Sequence, residues 1–178
     1  MTNWAKRIRV VALFAGLASA AAWATSGPAP ALAASSAVSV VGRSAIEVRL
    51  DVTADRVLGL VNKERERGGC DPVHAHPALE RAAEEHSEDM AERGRLTHTG
   101  TGGLSVAERL RDSGYRNEYF GENLARGSLT ARSVVNSWMH SPAHREIILT
   151  CLYEEAGVGI ALDSDGPWWT VILGAAHP

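Results

Sequence analysis

The end of the chain changes character in a way that constrains the fold. Residues 156–162 and 168–173 are apolar runs rich in β-branched and aromatic side chains, and Asp163-Ser-Asp-Gly-Pro167 between them is turn chemistry. The two runs therefore read as a hairpin, to which residues 120–125 add a third antiparallel strand. Trp168 and Trp169 alternate along the second run, so one ring is expected to face the core and the other outward. Almost everything before the hairpin has helical spacing. A first helix from Thr53 as cap to Arg67 ends at Gly68-Gly69, and a second opens at Pro77 and stops at Gly94. Ser105-Val-Ala-Glu108 is a capping box opening a third, a fourth covers 129–140, and Pro142 breaks it before a short helical turn. Helices ahead of a terminal hairpin imply an α+β layered domain.

The first 33 residues read as an address. Lys6, Arg7 and Arg9 precede an apolar run over 10–24, and Ala31-Leu-Ala33 follows Gly27-Pro28 as a small-x-small cleavage pattern. The run falls short of the roughly 20 apolar residues of a spanning helix. Residues 1–33 are thus expected to be a signal peptide, 34–52 a leader and 53–178 the domain. Within the leader, Ile46, Val48, Leu50 and Val52 alternate with polar residues, a strand-like period. A secreted monomer with no membrane span after cleavage is the expectation. Export also governs the two cysteines. Cys70 and Cys151 form an even pair in an oxidising compartment, so a disulfide is expected. Charge excludes a nucleic-acid module: Lys+Arg number 18 against 21 Asp+Glu, and the arginines are scattered among acids.

Ligand-type side chains stand out at three places. His98 lies in a glycine-rich loop, Glu122 has apolar flanks that suggest a partly buried carboxylate, and His144 follows the break at Pro142. Two imidazoles and a carboxylate suit a divalent cation such as Zn²⁺, with water in the fourth position. Spacings of 24 and 22 residues do not by themselves bring the three together. No Gly-x-Ser-x-Gly elbow and no His-Glu-x-x-His occurs. His74 and His76 read as solvated loop residues, and His86, on the apolar face of the second helix, as a core histidine with a hydrogen-bond partner.

Taken in order, Leu58-Gly-Leu-Val-Asn-Lys-Glu-Arg65, Ala83-Glu-Glu-His-Ser-Glu-Asp-Met90, Thr97-His-Thr-Gly100, Gly121-Glu-Asn-Leu124, Ser137-Trp-Met-His-Ser-Pro-Ala-His-Arg145, Gly157-Val-Gly159 and Gly166-Pro-Trp-Trp-Thr170 resemble the CAP superfamily. This group takes in cysteine-rich secretory, antigen 5 and pathogenesis-related proteins, and the likeness is to its short secreted bacterial branch. The resemblance implies an α-β-α sandwich with a three-stranded antiparallel sheet between helical layers. It also implies a cleft that gathers His98, Glu122 and His144, and a Cys70–Cys151 bridge. Where the family's cleft carries a second glutamate, this chain has Ser141, a departure that weakens four-ligand metal binding. Ala143, Glu146-Ile147 and Thr170-Val-Ile-Leu173 depart from the usual residues as well, which points to an altered rim. The expected function is a non-enzymatic binding module, its cleft holding a divalent metal or a small lipid-like ligand. A metal-assisted hydrolase with Glu122 as base, or an extracellular protein-interaction module with an idle cleft, are the alternatives.

Overall fold

The computed structural model describes residues 45–176, so the expected signal peptide and residues 34–44 of the leader lie outside the described residues. Helix α1 spans Ala45–Arg67. It takes in the segment expected to be a strand-like lead-in, and Thr53 lies inside it, its hydroxyl donating to Arg49 O at 2.8 Å instead of capping. A strand needs a neighbour for its backbone groups, whereas extending an existing helix satisfies one more group per residue at little cost. Gly69, at φ 81°, ends the helix. Beyond it β1, His74–Ala75, pairs in parallel with β3, Glu155–Asp163.

That pairing corrects the expected three-stranded sheet to four strands in the order β1-β3-β4-β2, where β2 is Phe120–Arg126 and β4 is Gly166–Gly174. The pairs β3–β4 and β2–β4 are antiparallel, as expected. A two-residue strand is too short to leave a period in the sequence. It also changes the reading of His76. The Nδ1 of His76 accepts from Ala78 N at 3.2 Å and caps α2, Pro77–Arg93, while its ring packs edge-on against Tyr115.

Helix α2 covers one face of the sheet with Leu79, Ala82, Ala83 and Met90, against Ile172, Leu124 and Trp168. The contact is backbone to sheet. A Cβ on Gly157 would fall 2.1 Å from the carbonyl carbon of Leu79, and one on Gly159 just as close to that of Ala83. Only glycine permits that approach. The short α3, Val106–Asp112, sits on the same side behind its Ser105–Glu108 capping box.

The opposite face carries α1 and α4, Ala131–His140, with α5, Pro142–Ile148, beside them. Val57, Val61, Val134, Val135, Trp138 and Ile148 there meet Val158, Ile160, Trp169, Val171 and Leu173. This is the α-β-α sandwich. Because both faces are covered, Trp168 and Trp169 are both buried, 0% and 2% exposed, where one outward ring was expected.

Cys70 and Cys151 form the disulfide. Beside it Arg65 is fully buried and donates to four carbonyls: Asp71 at 3.0 Å, Ile148 at 2.8 Å, Thr150 at 3.0 Å and Tyr153 at 2.7 Å. Arginine's fork satisfies an irregular loop that has no ladder of its own. Among the described residues no helix is long and apolar enough to cross a membrane.

Candidate functional site

Glu122 projects from β2, the strand at the end of the sheet, on the α2 side, with only 2% of its side chain exposed. A buried carboxylate needs partners for both oxygens. The Nδ1 of His98 donates to Oε1 at 2.7 Å, and Nη2 of Arg109 donates to Oε2 at 2.5 Å. Arg109, itself 9% exposed, uses Nη1 to hold the carbonyls of His98 at 2.7 Å and Leu104 at 3.3 Å. One guanidinium thus fixes the carboxylate and the backbone of the residue the carboxylate binds. Gly100 makes room for it, since a Cβ there would lie 3.3 Å from Arg109 Cδ.

The loop that carries His98 is pinned again from α2. His86 Nε2 donates to Thr97 O at 2.9 Å, as expected of a core histidine. Its Nδ1, buried, has no hydrogen-bond partner, and Asp89 lies 3.9 Å away. Burial pushes the His86 imidazole below its usual pKa, and nearby Glu122 only partly offsets it. Arg93 donates to Thr99 O at 2.9 Å while Asp89 accepts from both Arg93 and the Thr101 hydroxyl.

The result is an imidazole that is 60% exposed yet fixed in orientation. With Nδ1–H donating its hydrogen bond to Glu122, Nε2 faces away from the ion pair with a lone pair to offer. His144 comes from α5, whose register is set by Asn123 Nδ2 donating to His144 O at 2.9 Å. Its imidazole is half-buried and sits below its usual pKa, first through burial and then through the charge of His98. Ser141 is the half-buried N-cap of α5, and its hydroxyl makes no capping bond. His140 binds Asn136 O instead and is exposed on the side of α1 and α4.

A three-ligand metal centre does not fit this arrangement. Both oxygens of Glu122 are taken, one by a cation, and among the described residues no group of three His, Cys, Asp or Glu side chains is arranged to hold an ion. Glu122 instead binds one ring nitrogen of His98 and leaves the other free, the arrangement a carboxylate has behind a metal-bound histidine. Nor does a serine, threonine or cysteine among the described residues hydrogen-bond to either imidazole, so no nucleophile–base pair is formed. Arg109 was not singled out in the sequence. The signal is indirect: a buried Glu122 demands a cation, and Arg109 directly follows the Ser105–Glu108 capping box.

Comparison with known proteins agrees with the fold. Residues 58–173 match the profile of the CAP, or cysteine-rich secretory protein, family. Among curated proteins, "Uncharacterized protein YkwD" of Bacillus subtilis is 31% identical over 115 residues, 65% of this chain and 44% of that protein. "Uncharacterized membrane protein YlbC" of the same organism is 27% identical over 113 residues, 63% of this chain and 33% of its own length. The chain thus spans less than half of these curated relatives. An outer surface protein from Borrelia burgdorferi has a similar structure, with TM-score 0.64 at 21% identity over 69% of this chain and 92% of that one. An extracellular protein containing a SCP domain from Bacillus anthracis superposes with TM-score 0.66 at 18% identity, over 76% and 45% of the two chains. At these identities the structures speak for the fold alone. With nearly the whole described domain matched and the α-β-α sandwich in place, this chain belongs to the CAP family of cysteine-rich secretory proteins.

Proposed function

We propose that this chain is an extracellular, non-enzymatic binding protein whose cleft takes its ligand through His98 and His144. The observation that carries the reading is the buried Arg109–Glu122 pair, which holds an exposed imidazole with Nε2 outward and no hydroxyl or thiol hydrogen-bonded to the ring. Export is read from the N-terminal sequence, and the outer-surface and extracellular proteins of the same fold agree with it. The hydrolase alternative loses ground, since Glu122 would have to leave two partners to act as a base.

A divalent cation held by the two imidazoles and water is the first ligand to test, with Glu122 orienting His98 rather than binding the ion. A small lipid-like ligand is the second reading. Leu96 and Leu104, 52% and 37% exposed, flank the loop of His98 and give such a ligand apolar surface.

Calorimetric titration of untagged mature protein with Zn²⁺ tests the first reading. Binding is expected, with a loss of at least about tenfold in affinity in the His98→Ala/His144→Ala variant and unchanged cooperative unfolding. Retained affinity would remove the two imidazoles from the site. Native mass spectrometry of host-secreted protein tests the second reading. A stoichiometric organic adduct that disappears in the same variant supports it, and a bare chain in both would leave protein interaction as the function of the fold.

A further inference from the structure

The face of the domain away from α2 carries a groove that the imidazole cleft does not use. Three adjoining cavities follow α4. One of about 430 Å³ lies at its N-terminal end between Arg56, Leu129 and Arg132. One of about 660 Å³ runs between α1 and α4 over Leu60, Val135 and Met139. The last, about 330 Å³, lies where α4 meets α5, beside Arg145 and Glu146. The first two share Thr130 and Arg132, and the last two share Met139 and His140, so the hollow is continuous.

Its charge is opposite to that of the chain. The whole sequence has 21 acids against 18 bases, yet four arginines line the groove against Glu64 and Glu146. Arg67 is paired with Glu64 at 2.5 Å. Arg56, Arg132 and Arg145 make no side-chain hydrogen bond or ion pair among the described residues. Unpaired guanidiniums around an apolar floor are poised for carboxylates.

We infer that this groove binds an extended acidic peptide segment of a partner protein. The Arg56–Arg132 end of the groove and its Arg145 end are separated by the ten residues of α4, about 15 Å at the helical rise. An extended chain covers that distance in about five residues. The matching segment therefore has acidic groups at two places about five residues apart, with apolar side chains between them for Leu60, Val135 and Met139. A single-headed amphiphile would match only one end. A uniform polyanion would meet Glu64 and Glu146 and waste the apolar floor. The inference does not depend on what fills the imidazole cleft.

The test is fluorescence anisotropy with the folded mature chain. The probe is a labelled peptide carrying a glutamate pair at each end of about five apolar and small residues. Saturable binding is expected, weakened at least about tenfold by Arg56→Glu/Arg132→Glu and again by Arg145→Glu. The His98→Ala/His144→Ala variant should bind as the unmodified chain does, and moving the glutamate pairs close together should also cost about tenfold. These arginines are exposed, so matching unfolding curves confirm that the variants fold. Equal binding by the charge-reversed variants, no binding of the peptide, or tighter arginine-dependent binding of inorganic polyphosphate or dodecanoate would each overturn the inference. So would a concentration-dependent dimer in sedimentation that buries the groove.

Discussion

Replacing Arg109 by methionine should be among the most damaging single changes in this domain. Its guanidinium is 9% exposed, bonds the buried Glu122 carboxylate at 2.5 Å and holds two carbonyls. Methionine keeps most of the volume, so the effect isolates polar bonding from packing. The variant leaves a buried carboxylate with only His98 as partner and removes a donor from two backbone acceptors. Breaking a buried pair by removing one partner costs about 3–5 kcal/mol. For a domain of this size that is a drop in Tm of about 10–20 °C. Replacing both partners, Arg109→Met with Glu122→Leu, removes the stranded charge along with the pair. The double variant should therefore be more stable than Arg109→Met alone, with a coupling of about 2 kcal/mol or more in a double-mutant cycle. Chemical denaturation at neutral pH gives all four free energies. Additive losses, or an Arg109→Met cost below about 1 kcal/mol, would refute the view that this pair is the dry anchor of the site.

Other expectations follow from the same structure. Gly157→Ala would put a methyl group 2.1 Å from the backbone of α2. It should lower the unfolding free energy from denaturant titration by at least about 3 kcal/mol, whereas a tolerated alanine would mean that α2 sits farther from the sheet. The histidines set the acid limit. His86 and His144 are both held below the ordinary value of 6.5, so the unfolded chain binds more protons than the folded one once pH falls below it. Stability should hold above that value and decline with falling pH below it, and His86→Gln should flatten part of the decline in urea midpoints measured across that range. Reduction of Cys70–Cys151, 81 residues apart, should cost about 4–5 kcal/mol. An unchanged unfolding curve after complete reduction, verified by intact mass, would contradict that figure.

Helices and hairpin were legible because their signals are local. Pro77, Gly94, the Ser105–Glu108 box and the 163–167 turn each mark a boundary that the structure keeps. What was not legible depends on partners distant in sequence. The two residues of β1 carry no period of their own, and their strand character comes from Glu155 and Ala156. The alternation over 46–52 looked like a strand, but helix propagation from the following residues decides it. The burial of both Trp168 and Trp169 requires knowing that helices cover both sheet faces. The nearness of His98 to Glu122, 24 residues away, follows from family likeness and not from spacing, and their hydrogen bond is visible only in the structure. Arg109 leaves only an indirect signal for the same reason: its role exists only once loop, strand and α3 meet.

The proposed cleft requires Arg109 and Glu122 to hold His98 with its Nε2 turned outward. Proton–nitrogen correlation spectra of the imidazole rings, recorded at about pH 8 where a free imidazole is neutral, test it most directly. The His98 proton is expected on Nδ1, this preference should be lost in Glu122→Gln, and added Zn²⁺ should perturb His98 Nε2 together with the His144 ring. A His98 proton on Nε2, or a Zn²⁺ response at neither ring, would contradict it.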